Sequence, residues 1–207
     1  MKLKQAFAEH LRELARMKGK SRLGYNIRNA VRALWTGVWG LNEFYDQIII
    51  SLEKAVNEAF EEAFAEYGIS MDELTPTEKS VMFQFMNEQY NHIEGFAQSI
   101  QENSKANGGL LGPHLTRAQM WENRYLEAKN RAMQLAAADK HLRWTLGNAD
   151  HCSSCLKLAG KVKRGSVWLA RDIRPQHPNL ECGGFRCACT LVPTDQPASR
   201  GPLPSIP

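Results

Sequence analysis

Along the first two thirds of the chain, apolar residues recur at spacings of three and four, the mark of helices that each bury one face. Leu3, Phe7, Leu11 and Leu14 form the first stripe, with Lys4, Arg12, Arg16 and Lys18 largely off it. Gly19-Lys20-Ser21-Arg22-Leu23-Gly24 interrupts the pattern and predicts a break. A second helix is expected from about Asn26, with Ile27, Val31, Leu34 and Val38 on its apolar face. Gly40 and Asn42 allow a new N-cap, and Phe44, Ile48, Leu52, Val56, Ala59, Phe60 and Ala63 mark a long third helix closed at Gly68. Thr75-Pro76-Thr77-Glu78 joins a capping Thr, a Pro at the first helical position and the Glu of a capping box. The fourth helix begins there, carries Val81, Phe85, Tyr90, Ile93, Phe96 and Ile100, and frays near Ser104.

Asn107-Gly108-Gly109 and Gly112-Pro113 predict a flexible loop and the best place for a domain boundary. Thr116 is expected to cap a fifth helix, Arg117 to about Asp139, rich in Ala, Met and Leu and basic through Arg117, Arg124, Lys129 and Arg131. From Lys140 to Leu146 alternation replaces helical spacing, so a short strand is predicted. Five prolines between Pro193 and Pro207 predict an extended tail, mobile unless a partner holds it. The expected fold is therefore mainly α: a helical body of about five helices with a small C-terminal α+β module. Its expected segments are a body over 1–106, a hinge loop and basic helix over 107–139, a cysteine-rich module over 140–193 and a flexible tail over 194–207.

Composition adds little to this picture, whereas the distribution of charge adds more. With 43% apolar and 23% charged residues in 207, the chain reads as an ordinary globular protein. No apolar run approaches the roughly 20 residues that cross a bilayer, so no membrane partner is expected. The first residues lack the apolar core of a signal peptide, which predicts a cytosolic start. Residues 1–40 hold nine Lys/Arg and two acids, residues 41–104 two and thirteen, and residues 105–207 fifteen and seven. The basic ends could meet phosphate, or the segments could neutralise one another within the fold. Trp35 and Trp39 beside Arg28 and Arg32 pose the same choice between stacking on nucleic acid and packing in a core. Glu61 and Glu62 are adjacent and diverge by about 100 degrees on a helix, which marks a solvated face rather than a convergent site. His92 and Glu94 lack a convergent partner and read as surface or packing residues.

All five cysteines lie between His151 and Cys189, as Cys152-Ser-Ser-Cys155 and, after 26 intervening residues, Cys182-Gly-Gly-Phe-Arg-Cys187-Ala-Cys189. Two short clusters joined across a loop supply thiolates at tetrahedral geometry, which suits zinc, and an odd count in a reducing compartment speaks against disulfides. Four of Cys152, Cys155, Cys182, Cys187 and Cys189 are expected to bind a structural Zn2+, with His177, and more remotely His151, as alternative ligands. A filled site leaves no open position for catalysis. Such binding contributes on the order of 10 kcal/mol to the folding of a module too small for its own core. A thioredoxin-type centre would need a βαβ setting that the helical pattern upstream does not provide. No phosphate loop, nucleophile elbow or His-Glu-x-x-His helix is present, so no catalytic residue and no enzymatic activity is expected.

Lys140-His-Leu-Arg-Trp144, Asp150-His-Cys152-Ser-Ser-Cys155-Leu-Lys-Leu-Ala-Gly160, Pro175-Gln-His177-Pro178 and Cys187-Ala-Cys189-Thr-Leu-Val-Pro193 follow one another in order. Together they resemble the C-terminal signature of the tailed-phage minor head proteins, the Mu F-like head morphogenesis family, over roughly residues 116–193. Asn179 to Arg186 lengthens the step between His-Pro and Cys-x-Cys and brings in Cys182, a departure that leaves the fourth ligand open. The resemblance implies a non-enzymatic minor capsid component of the virion head, made in the host cytoplasm. It implies a place near the portal or capsid interior in head assembly and genome packaging or delivery, with portal or major capsid proteins as partners and phage DNA met through the basic segments. The competing expectation is a zinc-dependent nucleic-acid-binding protein, served by Lys157, Lys161, Lys163, Arg164, Arg171, Arg174 and Arg186.

Overall fold

The computed structural model describes residues 17–206, so the first predicted stripe, Leu3 to Leu14, lies outside the described residues. The chain is mainly helical, with a small antiparallel sheet and the cysteine cluster near its C-terminal end.

Helices α1 (Gly19–Thr36), α2 (Leu41–Ala65) and α5 (Leu111–Ala136) pack on one another and form the body. Leu23, Ile27, Val31 and Leu34 of α1 meet Phe44, Ile48, Leu52, Val56 and Phe60 of α2 in the buried core. The stretch read as a break before Asn26 is the first turn and a half of α1 instead. Its glycine serves close approach: a Cβ on Gly24 would stand 2.5 Å from the Glu122 side chain of α5. Val38 is also off the expected face, because α1 ends at Gly37 in the left-handed conformation and Val38 is 76% exposed. Trp35 and Trp39 pack partly buried against the core, which favours the packing reading of that pair. Of the two residues expected to allow a new N-cap, Gly40 caps α2, its N–H donating to Glu43, and the chain leaves the helix through Gly68 at positive φ.

The capping box at Thr75 starts α3 (Pro76–Tyr90) as expected, with Thr75 N–H donating to Glu78 and Glu78 N–H to Thr75. The single fourth helix is divided, however. The chain turns at Asn91 and His92, neither a Gly nor a Pro, and resumes as α4 (Ile93–Glu102). The turn re-aims the second half, so that Ile93, Phe96, Ala97 and Ile100 face α1 and α2 while α3 buries only Phe85 and Gln89. Phe96 lies edge-on to Phe44 at 6.0 Å and stacks on Trp121 at 6.2 Å, tying α4 to α2 and α5.

Helix α5 begins at Leu111, not after Thr116, and Thr116 sits within it. Pro113 is tolerated there because the first-turn N–H groups of a helix have no intrahelical acceptor. The connection from α4 is thereby cut to a short turn around Gly108 and Gly109. A Cβ on Gly109 would fall 2.0 Å from the Asn103 carbonyl oxygen.

Beyond α5 the predicted strand appears as β1 (His141–Thr145), the centre of a sheet ordered β2-β1-β3, with β2 at Val162–Arg164 and β3 at Thr190–Pro193. Arg143 pairs with Val162 on one side and Val192 on the other. Alternation along β1 turns Leu142 and Trp144 inward, both fully buried. Between the strands come α6 (Ser153–Leu158) and α7 (Gly165–Ala170), and Trp168 of α7 packs on Trp144 at 5.8 Å and donates to the Leu142 carbonyl. The Pro-rich tail runs without helix or strand and finds its partner in this chain. Ser199 N–H donates to the Val162 carbonyl, Lys163 Nζ donates to the carbonyls of Ser199 and Gly201, and Leu203 and Ile206 pack on the core.

The acidic segment pairs with both basic ones, Glu58 with Arg22 and both Glu62 and Glu66 with Lys129, while Arg28 pairs with Glu122 between the two basic segments. Among the described residues no helix is long and apolar enough to cross a membrane.

The joint between α5 and α7 gives a direct test of this packing. A Cβ on Gly165 would lie 2.5 Å from the carbonyl oxygens of Ala137 and Gln134, both backbone atoms. Gly165→Ala is expected to destabilise the fold by about 1–3 kcal/mol through overpacking. Gly95→Ala, in open space on α4, is expected to stabilise it by about 0.5–1 kcal/mol through helix propensity. Urea unfolding of the two variants checks the pair.

Candidate metal centre

The two cysteine clusters meet because the sequence between them folds back on the start of α6. Cys152 is the N-cap of α6 and Cys155 lies one turn in, with its sulfur buried. Ser153 N–H donates to the Glu181 carboxylate at 2.8 Å, the Ser153 hydroxyl donates to the same oxygen, and Glu181 N–H donates to Ser154 at 3.1 Å. These bonds satisfy the open Ser153 N–H at the helix start and dock the residue before Cys182. The Ser153 hydroxyl and N–H hold the Glu181 carboxyl below the usual carboxylate range. Gly183 and Gly184 then turn the chain at positive φ, and a Cβ on Gly184 would fall 2.1 Å from the Gln176 carbonyl oxygen. Only a glycine fits there.

Cys187 and Cys189 are fixed from the other side by Gln176. This fully buried side chain donates to the carbonyls of Cys187 at 3.0 Å and Cys189 at 2.7 Å, and accepts from Asn130 of α5 at 2.8 Å. Asn130 also accepts the Leu191 N–H at 2.7 Å at the start of β3. Gln176 itself has φ of 63°, a left-handed conformation that costs a non-glycine residue free energy and persists only where the surroundings over-determine it.

The sulfurs form two overlapping groups. Cys152, Cys155 and Cys182 lie within 4.8 Å of one another, as do Cys155, Cys187 and Cys189, and Cys155 belongs to both. Cys155 and Cys187 are 3.9 Å apart at their sulfurs, close to the roughly 3.8 Å that separates two thiolates bound tetrahedrally at 2.3 Å from one ion. The cluster can therefore hold a metal ion. Cys189 is the most acidic thiol, held at about 3 by hydrogen bonds from the Cys155 and Cys187 thiols. The indole Nε1 of Trp144, buried without a hydrogen-bond partner of normal geometry, adds a weaker interaction with the same sulfur. Burial pushes the Cys182 thiol up to about 11. Hydrogen bonds to Cys189 favour its thiolate form, the form in which a cysteine binds a divalent cation.

Both alternative histidines are placed clearly. His177 lies apart from the sulfurs, with Nε2 3.1 Å from Asp172 and Nδ1 accepting the Asn179 N–H. With both ring nitrogens engaged, it braces the Asp172–Asn179 segment rather than offering a free ligand atom. His151, the more remote alternative, lies with Nδ1 3.8 Å from the Cys189 sulfur.

The sequence reading missed the support for this centre. Asn123, Glu127, Asn130 and Gln134 are buried on one face of α5 at spacings of four, three and four. Asn123 donates to the Gly184 carbonyl, Gln134 donates to the Ile173 carbonyl at 2.6 Å, and Glu127 receives Arg174 at 2.8 Å and pairs with Arg124. The spacing was visible, but polar residues in an Ala- and Leu-rich helix do not announce whether they face water or a second layer. Burial raises the Glu127 carboxyl pKa against the pull of the two arginines. Arg174 also reaches Asp172 at 2.6 Å, and Asp172 reaches Arg131 at 3.0 Å. This network borders a cleft of about 820 Å3 between α3, α5 and the module, where Arg117 lies over the Phe96 ring.

Comparison of the chain with family models, with curated proteins and with solved structures finds no match.

The histidine brace carries a pH dependence. Burial, with Arg174 adding to it, pushes the His177 pKa below its ordinary value. The unfolded chain therefore takes up this proton first, near pH 6.5. The stability linked to the neutral ring is complete above about that pH and declines as the pH falls below it. His114 shifts in the same direction, so His177→Gln is expected to reduce, not abolish, the loss of stability between pH 7 and pH 5. Urea midpoints of the wild type and the variant at both pH values provide the measurement. An unchanged slope would refute the assignment.

Proposed function

We propose that the chain is a minor capsid or head morphogenesis protein of a tailed phage, whose C-terminal module is stapled by one structural Zn2+. The observation that carries this reading is the ordered set from Lys140-x-x-x-Trp144 through Cys152-x-x-Cys155 to Cys187-x-Cys189, whose members converge on one small module. Trp144 packs at the module's centre, Gly160 N–H donates to its carbonyl, and both cysteine motifs flank the same sheet. Zinc suits the donor set because thiolates at tetrahedral spacing favour it. A metal enclosed by four protein donors has no position for substrate water, so its role is mechanical: it joins α6 to the entry of β3.

In this reading the helical body and the α5 surface meet portal or major capsid proteins, and the basic segments meet phage DNA. The competing reading, a zinc-dependent nucleic-acid-binding protein, has lost part of its basic surface. Lys163 is spent on tail carbonyls and Arg174 is buried against Glu127 and Asp172.

Two measurements test the proposal. Protein purified under reducing conditions is expected to contain close to one zinc per chain by plasma mass spectrometry, and metal-free protein would sink the staple. The chain is expected in purified virions or in complex with the portal protein. Its absence from both particles and procapsids would sink the assignment to the head. Steeply salt-dependent DNA binding without any particle association would favour the nucleic-acid reading instead.

A further inference from the structure

The five sulfurs do not surround one point. Cys152, Cys155 and Cys182 form one group and Cys155, Cys187 and Cys189 the other, each with its sulfurs within 4.8 Å of one another. Among the described residues no fourth His, Cys, Asp or Glu joins either group within that distance. His151 belongs to neither, although its Nδ1 is 3.8 Å from the Cys189 sulfur. A tetrahedral ion needs four donors, so zinc closes its shell by drawing a sulfur across from the other group. An ion that is satisfied by three needs no such shift.

We propose that the same sulfurs form a binuclear copper(I) centre, in which each Cu+ takes one group of three and the Cys155 thiolate bridges the two ions. The proposal goes beyond the zinc staple and does not rest on it. Copper(I) is a soft ion that thiolates select, and it accepts trigonal coordination. With metal–sulfur bonds of roughly 2.3 Å, sulfurs on a trigonal ion stand about 4.0 Å apart, and those of Cys155 and Cys187 are 3.9 Å apart. Five is also the number of cysteines that two three-coordinate ions sharing one ligand require, whereas a single zinc leaves one cysteine over. Two Cu+ bring the same total charge as one Zn2+, and each thiol that binds gives its proton to solvent.

Each group has its own backbone support. Gln176 donates to the carbonyls of Cys187 and Cys189 and holds that pair from one side. On the other, Glu181 bonds Ser153 and Ser154 through its carboxylate and N–H, which sets Cys152 at the start of α6 beside Cys182. Cys155, one turn into α6, is the donor that both groups share. The two positions differ in access, because Cys155, Cys187 and Cys189 are buried while Cys152 and Cys182 are half-exposed. The inner ion is shielded by protein, and the outer ion is the one that a chelator removes first.

The test adds Cu+ anaerobically to the full chain as purified under reducing conditions, with bicinchoninate as the competing chelator. Bound copper and zinc per chain are read by native mass spectrometry. The wild type is expected to saturate at two Cu+ with its zinc released, and Cys152→Ser/Cys182→Ser at one. Cys155→Ser takes a sulfur from both ions, so its loading is expected to require a free Cu+ concentration higher by roughly tenfold or more. X-ray absorption of the loaded wild type is expected to give three sulfurs and no nitrogen around each copper. Saturation of the wild type at one Cu+ or at three or more, two Cu+ on the double variant, unchanged affinity in Cys155→Ser, or nitrogen in the copper shell overturns the centre. Zinc in the purified protein with saturation at one Cu+ keeps the staple and sinks the binuclear centre, whereas two Cu+ on a chain purified without zinc does the reverse.

Discussion

The structure depends on the polar seam along one face of α5. Asn123, Glu127, Asn130 and Gln134 are buried where a helix of the body would ordinarily present leucine, and each meets a group of the C-terminal module. A buried amide without a partner costs about 1–3 kcal/mol, so these residues specify which surface must cover them more sharply than an apolar face would. Hydrophobic contact could tolerate a shift of the module along α5. The hydrogen bond that Asn130 donates to Gln176 and the one it accepts from the Leu191 N–H of β3 cannot. Register between body and module is thus set by directional bonds, and hydrophobic packing of Trp144 on Trp168 fills the space beside them.

This seam links the two halves of the chemistry. Gln176 accepts from Asn130 and donates to the carbonyls of Cys187 and Cys189, so the position of two sulfurs is inherited from a helix that contributes no ligand. The cost of holding Gln176 at positive φ is offset by three hydrogen bonds in a dry environment. On the other side, Glu181 does for Cys152 and Cys182 what Gln176 does for the Cys-x-Cys pair. The donors are consequently arranged before an ion arrives, which lowers the ordering cost of binding.

Much of the fold was legible in the residues, and the misses have physical causes. The capping box at Thr75, the strand after Lys140 and the convergence of the cysteines follow from local chemistry that tertiary contacts do not override. The start of α1 was hidden because Gly24 reads as a breaker when isolated, whereas its lack of a side chain is used against Glu122. The turn at Asn91 and His92 carries no Gly or Pro and is imposed by where Phe96 must pack. Pro113 signalled a loop, yet it occupies a first turn that needs no N–H. At the site, the clustering of the cysteines was readable from spacing, while their division into buried and half-exposed sets depends on how the loop before Cys182 docks, and sequence spacing does not encode that.

The docked tail has a consequence for how the chain behaves among its own copies. Strand β2 is an edge of the sheet, and an open edge invites pairing with any other strand that comes near. Here the Val162 carbonyl is taken by the Ser199 N–H, and the Val162 N–H by the Ser199 hydroxyl. The prolines that flank this contact cannot donate to a further strand. The residues around Ser199 therefore act as a selvedge, finishing the β2 edge so that it is not open to a strand of another molecule.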